Sequence, residues 1–167
     1  MEIFEFDGKK YKQASKHQKE WGRALISELS LKGNETVLDL GCGDGILTEH
    51  LSLLVPYGKV LGIDASVNMI NTAKMINRRN LEFSHKNINA LNFENEFDLI
   101  FSNAALHWIK DHMQLLNNSY RALKIHGKIL WDFGGSGNCS NLFDVIRRKI
   151  SGDKYAQYFE NFEWPWF

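Results

Sequence analysis

Five β-prone residues, Thr36 to Leu40, run straight into Gly41-Cys42-Gly43-Asp44-Gly45, and an apolar helical pattern begins at Ile46. A strand that ends in alternating glycines and hands over to a helix narrows the fold more than any other feature of this chain. Glycine has no Cβ, so it permits backbone conformations and close approaches that other residues block, and a ligand can lie against the main chain there. The bland alternative is a tight turn.

The exchange of strand and helix continues along the chain. Trp21, Leu25 and Leu29 recur every fourth residue, so 14–29 reads as an amphipathic helix. Lys59 to Ile63, Leu81 to Ser84, Phe97 to Ser102 and Lys128 to Phe133 read as further strands. Ile46 to Leu54 reads as a helix stopped near Pro56 and Gly58, and Ser66 is an N-cap candidate for a helix carrying Met69, Ile70, Ala73 and Ile76. Met113, Leu116, Tyr120 and Leu123 mark another helix, Leu142, Val145, Ile146 and Ile150 one more, and Tyr155, Tyr158, Phe159 and Phe162 repeat at helical spacing. Strands alternating with helices imply right-handed crossovers, hence an α/β doubly wound sheet of about five parallel strands with helices on both faces. Such sheets bind ligands at the carboxyl ends of their strands.

Composition removes several classes. Twenty Lys plus Arg balance twenty Asp plus Glu, so no basic footprint for nucleic acid exists. Cys42 and Cys139 have no metal-type spacing, and no metal is expected. There is no basic start followed by an apolar run, and no apolar stretch approaches the ~18 residues that cross a bilayer, so a cytoplasmic protein with no membrane partner is expected.

The glycine loop also limits its own ligand. A dinucleotide loop would need glycine where Ile46 stands, and a phosphate loop would need a lysine that Asp44-Gly45-Ile46 lacks. Asp39 and Asp44 would repel phosphate, so a ligand bearing positive charge fits better.

Strand and loop together resemble motif I of the class I S-adenosylmethionine-dependent methyltransferases, acidic-x-Gly-x-Gly-x-Gly. The resemblance implies a Rossmann-like sheet in the order 3-2-1-4-5 and S-adenosyl-L-methionine as cofactor, its sulfonium and ammonium groups near Asp39 and the Gly41-Cys42-Gly43 backbone. Asp64, at the end of the second strand, would receive both ribose hydroxyls, or would simply cap the Ser66 helix. Asn87 stands where the family places an acidic residue for the adenine amine; its amide oxygen can still accept, although a turn-forming role competes. Ile88 would offer a backbone N–H to the ring, and Ala65 and Met69 would pack on the purine.

Asn103, at the end of the fourth strand, should face the methyl group. The string Ser102-Asn103-Ala104-Ala105-Leu106-His107-Trp108 lacks the Asn-Pro-Pro-aromatic motif of nucleic-acid amino-methylases. It is similar instead to the trans-aconitate methyltransferase group, small-molecule carboxyl O-methyltransferases, with agreement reaching from Tyr11 through Gln18 and Trp21 to Gly134-Gly135-Ser136-Gly137-Asn138. By this resemblance Gln18 lies near the methionine end of the cofactor, while His107 and Trp108 face the small-molecule methyl acceptor. An ionised carboxylate needs no base, so no catalytic residue is named.

Family domains continue with two further strands beside strand five, and this chain lacks both. The expectation is one methyltransferase-like domain over 1–167, C-terminally truncated, or an apolar edge covered by Tyr155 to Phe167 or by self-association. A non-catalytic S-adenosylmethionine-binding subunit that regulates or stabilises a partner enzyme is the other reading, and a nicotinamide oxidoreductase a distant third.

Overall fold

A computed structural model describes residues 16–162. The first two residues of the expected opening helix, Tyr11 of the resemblance and the terminal Glu163-Trp164-Pro165-Trp166-Phe167 lie outside them. The described elements are α1 (Lys16–Ser27), β1 (Thr36–Leu40), α2 (Ile46–Leu54), β2 (Lys59–Asp64), α3 (Val67–Ala73), β3 (Leu81–His85), β4 (Phe97–Asn103), α4 (His112–Ala122), β5 (Leu123–Asp132) and α5 (Ser140–Ile150), with short 3-10 turns at Ile88–Ala90, Leu106–Trp108 and Ala156–Tyr158.

All five strands are parallel and lie in the order β3-β2-β1-β4-β5. The central strand is the most apolar and is buried on both faces, as a parallel sheet covered by helices requires. Its alternation sends Leu38 and Leu40 to one layer, with Ile63, Ile100, Leu106 and Leu115 of α4. Val37 goes to the other, with Ile26 of α1, Leu51 of α2, Val60, Leu99 and Phe101. Asp39 shares Val37's side, so the one charged residue of this strand points toward α2. Strand order reverses between β1 and β4, whose carboxyl ends form the crevice.

Ser66 caps α3 as expected, its hydroxyl accepting from Met69 N at 3.3 Å. The helix expected at Met113, Leu116 and Tyr120 is present as α4, but details there and at two other places differ from the apolar pattern. Met113, Leu116 and Tyr120 are exposed, and α4 buries Leu115, Asn118, Ser119 and Ala122 instead. Asp111 fixes where that helix starts by accepting from Gln114 N, and small polar residues on the inner face hid it from an apolar count. Trp21 is 62% exposed rather than core, although Leu25 and Leu29 on the same stripe do pack inward. Strand five begins at Leu123, not Lys128: Phe97 pairs with Leu123 but Leu99 with Lys128, so the residues between bulge out, His126 at φ 67°.

The sheet is most open at β5, which pairs only with β4 among the described residues; Ile129 stays 38% exposed. Helix α5 buries no residue, and of Tyr155 to Phe162 only the turn at Ala156–Tyr158 is helical. No helix among the described residues is long and apolar enough to cross a membrane.

Candidate cofactor and acceptor site

The glycine loop is held against β2: Gly41 N and Cys42 N both donate to Ile63 O at 2.9 Å. Gly41, Gly43 and Gly45 have φ of 74°, 55° and 81°, a region that favours glycine. A Cβ on Gly41 would collide with the Ala105 Cβ, and one on Gly45 would come within 2.6 Å of the Phe83 ring. Main chain is thereby bared at the strand tip because side chains from two neighbouring segments already crowd it.

Three carboxylates surround the loop, each tied down. Asp64 Oδ2 accepts from Gly43 N at 2.9 Å and Oδ1 from Ser66 N at 2.8 Å. The residue expected either to bind ribose or to serve the Ser66 turn therefore braces both loop and turn. Asp39 is buried and accepts from the Thr48 hydroxyl at 2.7 Å; burial, with a smaller push from Asp64, raises its pKa to about 7 against the opposing Thr48 bond. Asp44 pairs with Lys19 Nζ of α1 at 2.7 Å, their side chains only 5% and 13% exposed. Burial and then the three carboxylates hold the Cys42 thiol well above its ordinary pKa, so it stays protonated and inert.

Beyond β3, Asn87 caps the 3-10 turn, its Oδ1 accepting from Asn89 N at 2.9 Å. The competing turn-forming role is thus present. Ile88 is buried and reaches toward Gly41, Met69 is buried under α3, and the Ala65 carbonyl meets His85 Nε2 at 2.9 Å. Ile88 comes to the loop, then, whereas Asn87 spends its oxygen locally.

Polar groups at the end of β4 are arranged differently. Asn103 Nδ2 donates to the Gln18 carbonyl at 3.1 Å, while Asn103 Oδ1 is buried with no hydrogen-bond partner. Ala104 follows at φ 53° and donates its N–H to Asp132 O at 2.7 Å. Next come His107, whose buried Nδ1 likewise has no partner and whose pKa burial lowers, and the half-open Trp108, ring centroids 5.7 Å apart.

Two spaces open here. One, of about 30 Å³, lies among Gln18, Lys19, Asp39, the glycine loop and Asn103, room for little more than a water. A second, of about 610 Å³, falls in the ligand-pocket range and is lined by Gln18, Trp21, Ala104, His107, Trp108, Asp132 and the segment from Phe133 to Phe143. Gln18 borders both. Of the expected residues, Gln18, Asp39, Gly41, Cys42, Gly43 and Asn103 gather at the first space, and His107 and Trp108 at the second. Asp64, Ala65, Met69, Asn87 and Ile88 line neither. Lys19, Asp132, Phe133 and Phe143 were missed by sequence reasoning; only the Gly134-Gly135 loop beside them carried a signal.

An adenosyl sulfonium fits the chemistry of this donor set. The unpartnered Asn103 oxygen can accept from an ammonium, the Asp64 carboxylate matches a cationic centre in sign, and the glycine-bared backbone admits close approach. Sheet order, glycine loop and the aspartate ending the second strand define a Rossmann-like, class I methyltransferase fold. The chain belongs to the methyltransferase domain family, whose sequence profile matches residues 38–131. It is 34% identical over 143 residues to malonyl-[acyl-carrier protein] O-methyltransferase of Bacillus anthracis, covering 83% of this chain and 53% of that protein. It is 41% identical over 105 residues to trans-aconitate 2-methyltransferase of Deinococcus radiodurans, covering 63% and 39%. Phosphoethanolamine N-methyltransferase 2 of Haemonchus contortus, solved with S-adenosyl-L-methionine, superposes with a TM-score of 0.66 at 26% identity, over 84% of this chain and 35% of that one. The chain spans about half the length of the curated relatives it matches.

Proposed function

We propose that this chain binds S-adenosylmethionine at the tips of β1, β2 and β4 and directs its methyl group to a carboxylate oxygen of a small molecule held between Trp21 and Trp108. The observation that carries this reading is the convergence of Asp39, Asp44 and Asp64 on a glycine-bared loop, beside the unpartnered oxygen of Asn103. The names of the O-methyltransferase relatives support the acceptor class.

When bound, S-adenosylmethionine supplies a methyl group on a positively charged sulfur, a leaving group already activated. The residues of this chain then hold the cofactor and place the acceptor. Asp64 would receive the ribose hydroxyls, the Ile88 N–H and the second lone pair of the Asn87 oxygen the adenine edge, Ala65 and Met69 the purine face, and Gln18, Asn103 and the Gly41-Cys42-Gly43 backbone the methionine end. His107 and Trp108 would hold the acceptor oxygen ~3 to 3.5 Å from the methyl carbon and exclude water. Because the space at the loop is so small, α1 must yield to admit the cofactor, which means opening the Lys19–Asp44 pair.

Incubation with methyl-labelled S-adenosylmethionine and a set of small carboxylic acids tests the proposal. A labelled methyl ester is the expected product; cofactor binding with no labelled product from any acid would leave only the binding-subunit reading.

A further inference from the structure

We propose that the large cleft selects an acceptor with one carboxylate on an aromatic or long apolar body and rejects di- and tricarboxylic acids, with Asp132 as the excluding residue. This rests on the methyl transfer proposed above and adds the acceptor's charge and shape.

Walls of the cleft are aromatic. Trp21 comes from α1, Trp108 from the turn after β4, Phe133 from the end of β5, and Phe143 from α5. Four aromatic residues from α1, the turn after β4, the residue after β5 and α5 therefore border one space, and aromatic rings bury apolar substrate surface well and solvate anions poorly. The two tryptophans keep 62% and 37% of their surface exposed, so apolar area remains for a ligand to cover.

Among the described lining residues the formal charge has one sign. Asp132 contributes a carboxylate, and no Lys or Arg is among the described lining residues. His107 is the one titratable group there that could turn positive, and burial disfavours its charged form. A single substrate carboxylate can be placed against the polar part of the lining, where Gln18, His107 and Asn138 border the cleft. Each further carboxylate would have to lose water against rings, or approach Asp132, with no Lys or Arg among the described lining residues to offset it.

Transfer balances without another reactant. The carboxylate oxygen's electron pair forms the new O–C bond, the C–S pair returns to sulfur, and the sulfonium charge and carboxylate charge both disappear.

Initial rates on the full chain with 3-phenylpropionate, octanoate and trans-aconitate decide the matter, with Asp132→Asn beside the wild type. The expected kcat/KM is at least ~10-fold higher for the two monocarboxylates, and Asp132→Asn should narrow that gap by raising the tricarboxylate more than the others. A thermal melt of the variant checks that it folds. Equal or faster turnover of trans-aconitate would overturn the inference and leave the methyltransferase proposal standing, as would a gap that Asp132→Asn does not change. Absence of ester from all three acids despite cofactor binding would overturn both.

Discussion

The two sides of the crevice are built on opposite plans. On the β1–β2 side every acidic group has a fixed partner: Asp39 with Thr48, Asp64 with Gly43 and Ser66, Asp44 with Lys19. On the β4–β5 side Asn103 Oδ1, His107 Nδ1 and Trp131 Nε1 are buried without a partner, and Ala104 adopts φ 53°. Buried polar atoms are rarely left alone, and non-glycine residues rarely adopt positive φ. The difference teaches that the carboxylates of the β1–β2 side are positioned before any ligand arrives, with α1 the part that has still to move, whereas the β4–β5 side keeps polar capacity and backbone strain that ligands can use.

Breaking the organised side should have the largest effect. Gly41→Val forces a branched side chain into positive φ and against Ala105, and should abolish measurable cofactor binding while costing at least ~2 kcal/mol of stability, read by calorimetry and denaturant melts. The matched change across the crevice, Gly135→Ala, meets no atom within 4 Å and should alter stability by less than about 0.5 kcal/mol.

Lys19→Met comes next. It leaves the buried Asp44 carboxylate without its cation, so stability should fall by roughly 1.5 to 3 kcal/mol, and cofactor association in stopped flow should be faster because α1 is no longer latched. Unchanged association would mean that α1 does not gate the loop.

A further effect is a slope with pH. Asp39 has a folded pKa raised to about 7 from an unfolded value of 3.8, so the native state holds the extra proton between those values. Its contribution is fully present below pH 4 and is lost as pH rises toward 7, by up to ~1.4 kcal/mol per pH unit. Asp39→Asn should remove that slope from the difference between variant and wild-type melts, and parallel pH curves would show that Asp39 titrates normally.

The same asymmetry decided what could be read from the chain. The glycine loop, Asp39, Asp64 and the Ser66 cap are local signals, each set by backbone geometry within a few residues, and strands one to four sit within a residue of where their apolar runs place them. Membership of the methyltransferase family rests on a longer stretch, residues 38–131, that begins in that loop's strand. Lys19–Asp44 was invisible because two ordinary charged residues 25 positions apart meet only once α1 docks. Aromatic walls converge from four elements, so Trp21 looked like a core residue and Phe143 like part of an unremarkable helix. In α4 the wrong face was the apolar one, since Asn118 and Ser119 point inward where local packing, not hydrophobicity, sets the fit.

Calorimetric titration of the wild type and Asp64→Ala with S-adenosylhomocysteine tests the central claim, that the loop bared at the tip of β1 and braced by Asp64 is a nucleoside cradle. Loss of one charge-assisted contact predicts binding weaker by ~1.5 to 3 kcal/mol, about 10- to 150-fold, in a variant that still melts cooperatively. Equal affinity for the two proteins, or no binding to the wild type, would contradict it.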